Sequence, residues 1–524
     1  MKSSVSRVLF IFLLALLVAS AARTRGGRRR KSPPPPPAST PAQTPLVLSN
    51  WGYAYSFEVT KVVAPTSIFE IQTIVQDTVL YPSPVRALGN IHSVTACVVS
   101  NGTIVDMRGM DKILSLNQNA QGPQTVSAEG GVTLIKVHNY LADQDLELPF
   151  AAEIGDATVG SLTSSISKDS GVGDQALTGS LYKSIVGVTY VNHMGDLVTL
   201  TEADNATALA HFKSSEGLLG IVVIVDLLVR PAKLLTFTNR VLSTAEVLNH
   251  YADKSFQVTP DTNYWFLLHP EYSLVQERAL AVQGAQETDP VTLSVIVNAI
   301  RASFAKGVVA VALVGKSVGN APLRWTTYKH NMVNHYGPLP APLGNATVGP
   351  RLDFTWFEYP QERFQEVVVA YMTFWNDFKE THNGFEPAAA ATYFVRRIPD
   401  KPHGWFSQTG KGFENPGLSF TLDPIFHDPN DPLWEEFLRE SIKFAMTHGG
   451  RVALTQTRFL TREDFVGAPG NVALEEAPNG RFTSAYFAQF LMEDDTAPAA
   501  AEATIAETTP ATPAVTTEVQ KDAT

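Results

Sequence analysis

The sequence predicts an α+β fold, with a first half that mixes helices and strands and a second half built on an antiparallel sheet with helices on one side. Three observations carry this. Residues 48–233 alternate apolar helical faces with short strand-like runs. From residue 234 long helices alternate with strands, and few of the gaps suit a tight βαβ crossover. The chain has 524 residues, 44% hydrophobic and 17% charged, which is enough for two sizeable cores.

In chain order, Thr66–Asp77 spaces Ile68, Ile71, Ile74 and Val75 along one helical face behind Pro65. Strands are expected at Val85–Leu88, Ile104–Met107 and Thr125–Glu129, and Leu134, Val137 and Leu141 mark a second helix. Val186–Val191 and Leu197–Leu200 alternate around Asn192–Asp196, which predicts a hairpin. Leu218–Val229 reads as a long apolar strand closed by Pro231. The second half predicts helices at Pro290–Lys306, Glu362–Thr381 and Pro432–His448. Its strands fall at Asn263–Leu268, Leu352–Glu358, Ala391–Arg396, Leu418–Asp423 and Val452–Arg458. No internal repeat is visible.

The ends read differently from the body. Lys2 and Arg7, the apolar run Val8–Ala19 and the small residues Ala19-Ser20-Ala21 predict an export signal over 1–21, cleaved near Ala21. Arg23 to Lys31 is more basic than the leading end, so an uncleaved membrane anchor stays open as the alternative. Residues 22–47, Arg-rich and then carrying Pro33–Pro37, predict a stiff disordered linker, and 493–524 an Ala/Thr/Pro tail with little to bury. Sequons at Asn101, Asn205 and Asn345 fit a secretory glycoprotein.

Charge and motifs exclude several classes. The first 40 residues hold eight Lys/Arg and no acids, so the net charge of −11 becomes −19 for the rest, a poor match for nucleic acid. Cys97 is the single cysteine, so no intrachain disulfide forms, and without clustered Cys/His no metal site is expected. Gly307 to Ser317 ends like a P-loop, but Ala310 stands where its first glycine belongs.

A series of short motifs remains, in a fixed order. Arg86-Ala-Leu-Gly-Asn-Ile-His-Ser93 follows the amphipathic helix, and a strand ends at Ile104-Val-Asp-Met-Arg108. Then come Val126-Ser-Ala-Glu-Gly-Gly-Val132, Glu153-Ile-Gly-Asp-Ala-Thr-Val-Gly160, Gly217-Leu-Leu-Gly-Ile-Val222 and the closing Gly480-Arg-Phe-Thr-Ser-Ala-Tyr-Phe487. This order resembles the vanillyl-alcohol-oxidase family, nearest to its sugar-lactone oxidases of the gulonolactone and arabinonolactone type. The resemblance covers roughly 48–492. It implies a two-lobed PCMH-type FAD-binding domain over 48–233 and an antiparallel-sheet substrate (cap) domain over 234–492.

The resemblance also implies roles. Arg86, Ala87, Leu88, Gly89, Asn90, Ile91, His92 and Ser93 would form the turn that cradles the FAD pyrophosphate, where Gly89 permits a tight turn and backbone amides converge on an anion. Gly130 and Gly131 would be a second close approach. Glu153, Ile154, Gly155, Thr158, Gly160 and Ser161 would line the flavin, and Gly220, Ile221 and Val222 would give a backbone edge near its ring. His92 matches the position whose imidazole bonds the flavin 8α-methyl carbon, and no cysteine stands where doubly linked relatives have one.

Two departures bear on the substrate. Ser167-Lys-Asp-Ser-Gly171 stands where many relatives carry Thr-His-Gly-Ser-Gly. Arg451 to Arg458 lacks the histidine and lysine that lactone and alditol oxidases often place there. Glu358, Tyr393, Arg396 and Gln456 are the candidate catalytic residues, since alternate strand positions aim side chains at one face. The expected activity is FAD-dependent oxidation of an alcohol group on a sugar, sugar lactone or related small molecule, with O2 as acceptor. A same-fold dehydrogenase with another acceptor and a non-catalytic secreted flavin-binding protein are the alternatives. Membrane contact is expected only if the signal stays uncleaved.

Overall fold

The computed structural model describes residues 46–50, 54–118, 123–150, 152, 155–173, 178–213, 215–286, 321–324, 353–396, 418–467 and 480–491. The signal, nearly all of the linker, the tail, the helix at 290–306, the stretch 307–317, Glu153, Ile154 and Asn345 lie outside the described residues. Among the described residues no helix is long and apolar enough to cross a membrane.

The chain enters through a short hairpin, β1 (Leu46–Ser49) against β2 (Ser56–Val59). A βαβ unit follows, in which β3 (Lys61–Val63) leads through α1 (Ile68–Gln76) to β4 (Val85–Leu88), and β5 (Thr103–Asp106) lies parallel between the two strands. Helix α1 starts where Ser67 Oγ accepts the Glu70 amide, and it buries Ile71, Ile74 and Val75, with Ile68 half-buried at its edge.

The second lobe is a five-stranded antiparallel sheet. Its members are β6 (Ile113–Asn117), β7 (Thr125–Glu129), β9 (Ile185–Val191), β10 (Leu197–Thr201) and β11 (Ile221–Leu228), in the order β10-β9-β11-β7-β6. Helices α2 (Leu134–Ala142) and α3 (Val159–Ser164) share a core with it through Val126, Val188 and Val225, and β8 (Leu146–Glu147) pairs outside it with β12 (Arg230–Pro231). The predicted hairpin is present, with Leu197 opposite Val191. The predicted 218–229 strand begins three residues late, after a turn in which Glu216 and Gly217 take left-handed backbone (φ 54 and 70). Helix α4 (Glu202–Phe212) runs ahead of that turn.

Among the described residues, the second half forms one nine-stranded antiparallel sheet. It holds β13 (Leu234–Ser243), β14 (Thr262–Leu268), β15 (Tyr272–Leu280), β16 (Ala321–Arg324), β17 (Asp353–Phe354), β18 (Phe357–Pro360), β19 (Ala389–Arg396), β20 (Leu418–Phe426) and β21 (Arg451–Val452). Helices α5 (Thr244–Ala252), α6 (Phe364–Thr381) and α7 (Pro432–Thr447) cover one face. Alternation decides which residues meet them. Tyr264, Phe266 and Leu268 of β14 share a core with Phe364, Val368 and Trp375 of α6 and with Trp434 and Phe437 of α7. Asn263, Trp265 and Leu267 therefore point to the opposite face, toward the first half of the chain; the Asn263 amide donates there to the Gly171 carbonyl at 2.9 Å.

Two predicted strands are corrected. The 352–358 run is broken into β17 and β18, with Thr355 and Trp356 outside the ladder; Leu352 itself lies outside the described residues. The 452–458 run is a strand only at Arg451–Val452. Beyond it Thr457 Oγ1 takes the Ala453 amide at 3.1 Å and donates to the Trp356 carbonyl at 3.2 Å, so a side chain replaces the ladder partner. The Gln456 and Thr457 amides both return to Ala453 O, which curls the segment into a turn.

Candidate functional site

Strand β4 and the loop after it line a cleft without a break from Val85 to Ser93. The opposite walls are Gly130, Thr158, Gly160, Ser161, Ile221 and Val222, so the first half of the chain brings together most of the residues expected at a cofactor. Three expected residues stand outside the lining. Gly131 and Gly220 are packing glycines: a Cβ on Gly131 would lie 1.8 Å from Met107 O, and one on Gly220 2.6 Å from Val191 O. Gly155 instead takes the Ile135 amide at 2.6 Å through its carbonyl.

The loop divides its demands between two residues. The left-handed backbone is at Ile91 (φ 50), which corrects the expectation that Gly89 makes the turn. Gly89 is required for contact, because a Cβ there would stand 2.4 Å from Thr158 Oγ1 and 2.8 Å from its Cγ2. Thr158 in turn caps α3, its Oγ1 accepting the Ser161 amide. The N-terminus of a helix thus opens on the cleft, and helix N-termini favour anions.

His92 is fixed by the facing wall. Its Nε2 is 2.7 Å from Asp156 Oδ1, and Asn90 Nδ2 donates to the Asp156 carbonyl. Both side chains of the His92–Asp156 pair are mostly buried, at 13% and 20% exposure. Arg86, buried on β4, gives its guanidinium to the carbonyls of Glu216 (2.7 Å), Phe482 (3.0 Å) and Gly217 (3.4 Å), and lies 5.0 Å from the Phe487 ring centre. Burial holds Arg86 below its usual pKa.

The second half reaches the cleft at Phe482 and at Thr455 with Gln456. Ser93 Oγ donates to Thr455 O at 3.0 Å, the Val94 amide reaches the same carbonyl at 3.3 Å, and Thr455 and Gln456 line the cleft. Gln456 is thus the one catalytic candidate in the lining. Glu358 and Tyr393 are buried on the sheet face away from the helices and do not line it, and Arg396 is placed only by its backbone, opposite Leu418.

That sheet face is polar despite its burial. Glu358 stands opposite Thr421 and Arg451, and Ser419 Oγ donates to Glu358 Oε1. Asn263 faces Arg278, and Trp265 faces Tyr393. Lys168 projects onto it from the first half, ion-paired with Asp423 and lying 4.3 Å from the Trp356 ring centre and 5.3 Å from that of Tyr393. Burial pushes the Asp423 carboxyl up to about 6, against the opposing pull of Lys168. Trp356 also packs on Ile166, which lines the cleft, so this cluster adjoins it. Sequence reading had flagged the Lys168 segment only as a departure and passed over Asp423, whose apolar neighbours mark it as strand.

The residues present fit FAD. Gly89 stands against Thr158 with no room for a Cβ, so bare backbone lines the cleft there, and buried Thr455 Oγ1 in the same lining lacks a hydrogen-bond partner among the described residues. Comparison with known proteins agrees. The FAD binding domain family matches residues 59–201. The D-arabinono-1,4-lactone oxidase of Candida glabrata is 25% identical over 206 residues, 39% of this chain and 38% of that protein. The L-gulono-1,4-lactone dehydrogenase of Mycobacterium tuberculosis is 27% identical over 176 residues, 34% of this chain and 39% of that protein. The chain therefore spans about two fifths of the length of these curated relatives. Among solved structures, a histidine-to-alanine variant of the cholesterol oxidase from Brevibacterium sterolicum aligns with a TM-score of 0.58 at 14% identity, over 80% of this chain and 88% of that one. Residues 59–201 thus match an FAD binding domain, the chain as a whole has a fold similar to that of the cholesterol oxidase, and about two fifths of it is similar in sequence to sugar-lactone oxidases and dehydrogenases.

Proposed function

We propose that this protein is an FAD-dependent oxidoreductase acting on a CH–OH group of a sugar, sugar lactone or related small molecule. The observation that carries this reading is the meeting of two surfaces. The cleft formed by the Arg86–Ser93 loop adjoins, through Ile166, Thr455 and Gln456, a buried sheet face made of polar side chains. Bound FAD supplies the hydride acceptor for such chemistry. The polar face suits a substrate rich in hydroxyls, because buried donors and acceptors favour ligands that satisfy them. Asp423 is the proposed proton acceptor, since its carboxyl near 6 is matched to a proton taken at neutral pH, and Lys168 steadies its charge. Glu358, Tyr393 and Gln456 are proposed to orient the substrate.

His92 is the proposed site of a covalent bond to the flavin 8α-methyl carbon. Asp156 Oδ1 stands where it would accept the Nε2 proton, leaving Nδ1 as the linking atom; the 8α carbon would give up the other proton as the bond forms, and the two electrons released would pass through the flavin to the electron acceptor. Export through the N-terminal signal, with glycans at Asn101 and Asn205, is proposed as well, and both asparagines are exposed. N-terminal sequencing of secreted protein should begin near residue 22; an intact Met1 in a membrane fraction overturns cleavage.

The test of the activity is anaerobic flavin bleaching across a panel of sugars, aldonolactones and simple alcohols. Bleaching by members of the first two groups is expected, and a flavin that none of them reduces overturns the reading. Similarity to the M. tuberculosis dehydrogenase favours a second reading, in which O2 is not the acceptor. Steady-state peroxide release separates the two.

A further inference from the structure

Glu216 lies in the turn between α4 and β11, outside the loop on which the cofactor reading rests. Its backbone is left-handed (φ 54), a setting that costs a non-glycine residue and persists only where surroundings enforce it. Here they do. The Glu216 amide donates to Ser164 O at 2.6 Å, and Arg86 Nη2 donates to the Glu216 carbonyl at 2.7 Å. The clamped residue is 4% exposed and belongs to the lining of the cleft. Its Oε1 has no hydrogen-bond partner among the described residues. Arg86 is beside the carboxyl, yet its guanidinium donates to three backbone carbonyls instead.

We propose that Glu216 is a further cofactor-binding residue, its carboxyl donating a hydrogen bond to FAD in this cleft. This rests on the FAD reading above. A buried oxygen left without a partner is destabilising until a ligand supplies one, and FAD presents mostly acceptor atoms on its phosphates and ring carbonyls. A neutral acid complements such atoms, where a carboxylate repels them. Burial favours the neutral acid, raising the carboxyl well above its usual range against a smaller lowering by Arg86.

The charged and titratable groups facing Glu216 are Arg86 from β4, Cys97 from the turn before β5, and Tyr486 from the closing segment. The Cys97 thiol is pushed up to about 11 and the Tyr486 hydroxyl is raised too, both by burial, while Arg86 stays a cation. None of the three changes charge between about pH 6 and 9. A pH effect on FAD affinity that Glu216→Gln removes, with His92 already replaced, therefore reports on Glu216.

The experiment measures FAD release by flavin fluorescence from full-length His92→Ala protein, in which any covalent bond is gone. Added Glu216→Leu should raise the FAD dissociation constant about tenfold. Added Glu216→Gln, which keeps a donor, should bind nearly as tightly as the parent. In the parent the dissociation constant should climb as pH rises through the acid's ionisation, and in Glu216→Gln it should stay flat. The Gln variant decides the matter even if the Leu variant does not fold. Equal affinities in all three proteins, or the same pH slope with Gln, overturns the Glu216 contact and leaves the FAD reading intact. A full-length wild type that binds no FAD overturns both.

Discussion

His92 pairs with Asp156, Nε2 to Oδ1 at 2.7 Å, and so joins segments built from different parts of the chain. If His92 carries the flavin, acid precipitation of the wild type leaves yellow colour in the pellet and a denaturing gel shows a flavin-fluorescent band. His92→Ala should release the flavin on precipitation yet still bind it when folded, because the loop backbone is untouched. Acid-stable flavin in the variant would refute the assignment. Gly89→Ala tests the cradle itself. Its Cβ would press on Thr158 Oγ1 and Cγ2, with Thr158 Cβ at 3.2 Å, so the rigid core of a β-branched cap must move. The expected outcome is a stability loss of about 1–3 kcal/mol by urea unfolding, with weaker FAD retention. At this scale the loop was legible because Gly89 and His92 have chemistry that spacing exposes. The strain at Ile91 was not, because nothing in an isoleucine announces a left-handed backbone that only tertiary contacts enforce.

Among the elements, the closing segment shows how a short C-terminal motif binds the first lobe. Arg481 is 6% exposed and crosses to the end of α1, donating to Ile74 O (2.6 Å), Val75 O (3.0 Å), Tyr81 O (2.8 Å) and Ser83 Oγ (2.8 Å). The first two are carbonyls of a helix C-terminus, where a cation also opposes the macrodipole. The Arg481 carbonyl takes the Val85 amide at 2.7 Å, which ties the segment to the start of the strand that feeds the FAD loop. Arg481→Met should therefore cost about 3 kcal/mol in urea unfolding, as charge-assisted bonds are lost and buried acceptors are left bare. An unchanged midpoint would show that the segment is dispensable. The motif Gly480–Phe487 was visible in the sequence, but its partners, some 400 positions away, were not. Strands β13 and β15 escaped notice for another reason. Asn239, Gln276 and Arg278 are buried polar residues on those strands, and they break the apolar alternation by which a strand is recognised.

Over the whole molecule, the two halves meet through polar contacts at the place where chemistry is proposed. Lys168 leaves the first half to pair with Asp423 on β20, and Trp356 and Tyr393 flank its ammonium. The antiparallel sheet with its helices on one side was legible from helix length and strand spacing, whereas this junction joins residues 255 positions apart and left no local trace. The pairing has two opposite pH consequences. Asp423 ionises at about 6 in the folded chain, against an ordinary value of 3.8, because burial penalises the charged form more than Lys168 relieves it. With its folded value raised, Asp423 contributes stability that is fully present below about pH 4 and is lost as pH rises through about 6. The loss is at most about 3 kcal/mol. A proton acceptor must be ionised to work, so kcat/KM should rise through the same window with an apparent pKa near 6. Asp423→Asn should flatten both curves, removing the fall in urea midpoint between about pH 4 and 7 and the acid limb of the rate. If the stability curve flattens while the acid limb persists in the residual activity, Asp423 is a structural partner of Lys168, and the proton is taken by another group on the same sheet face, with Glu358 the first to test.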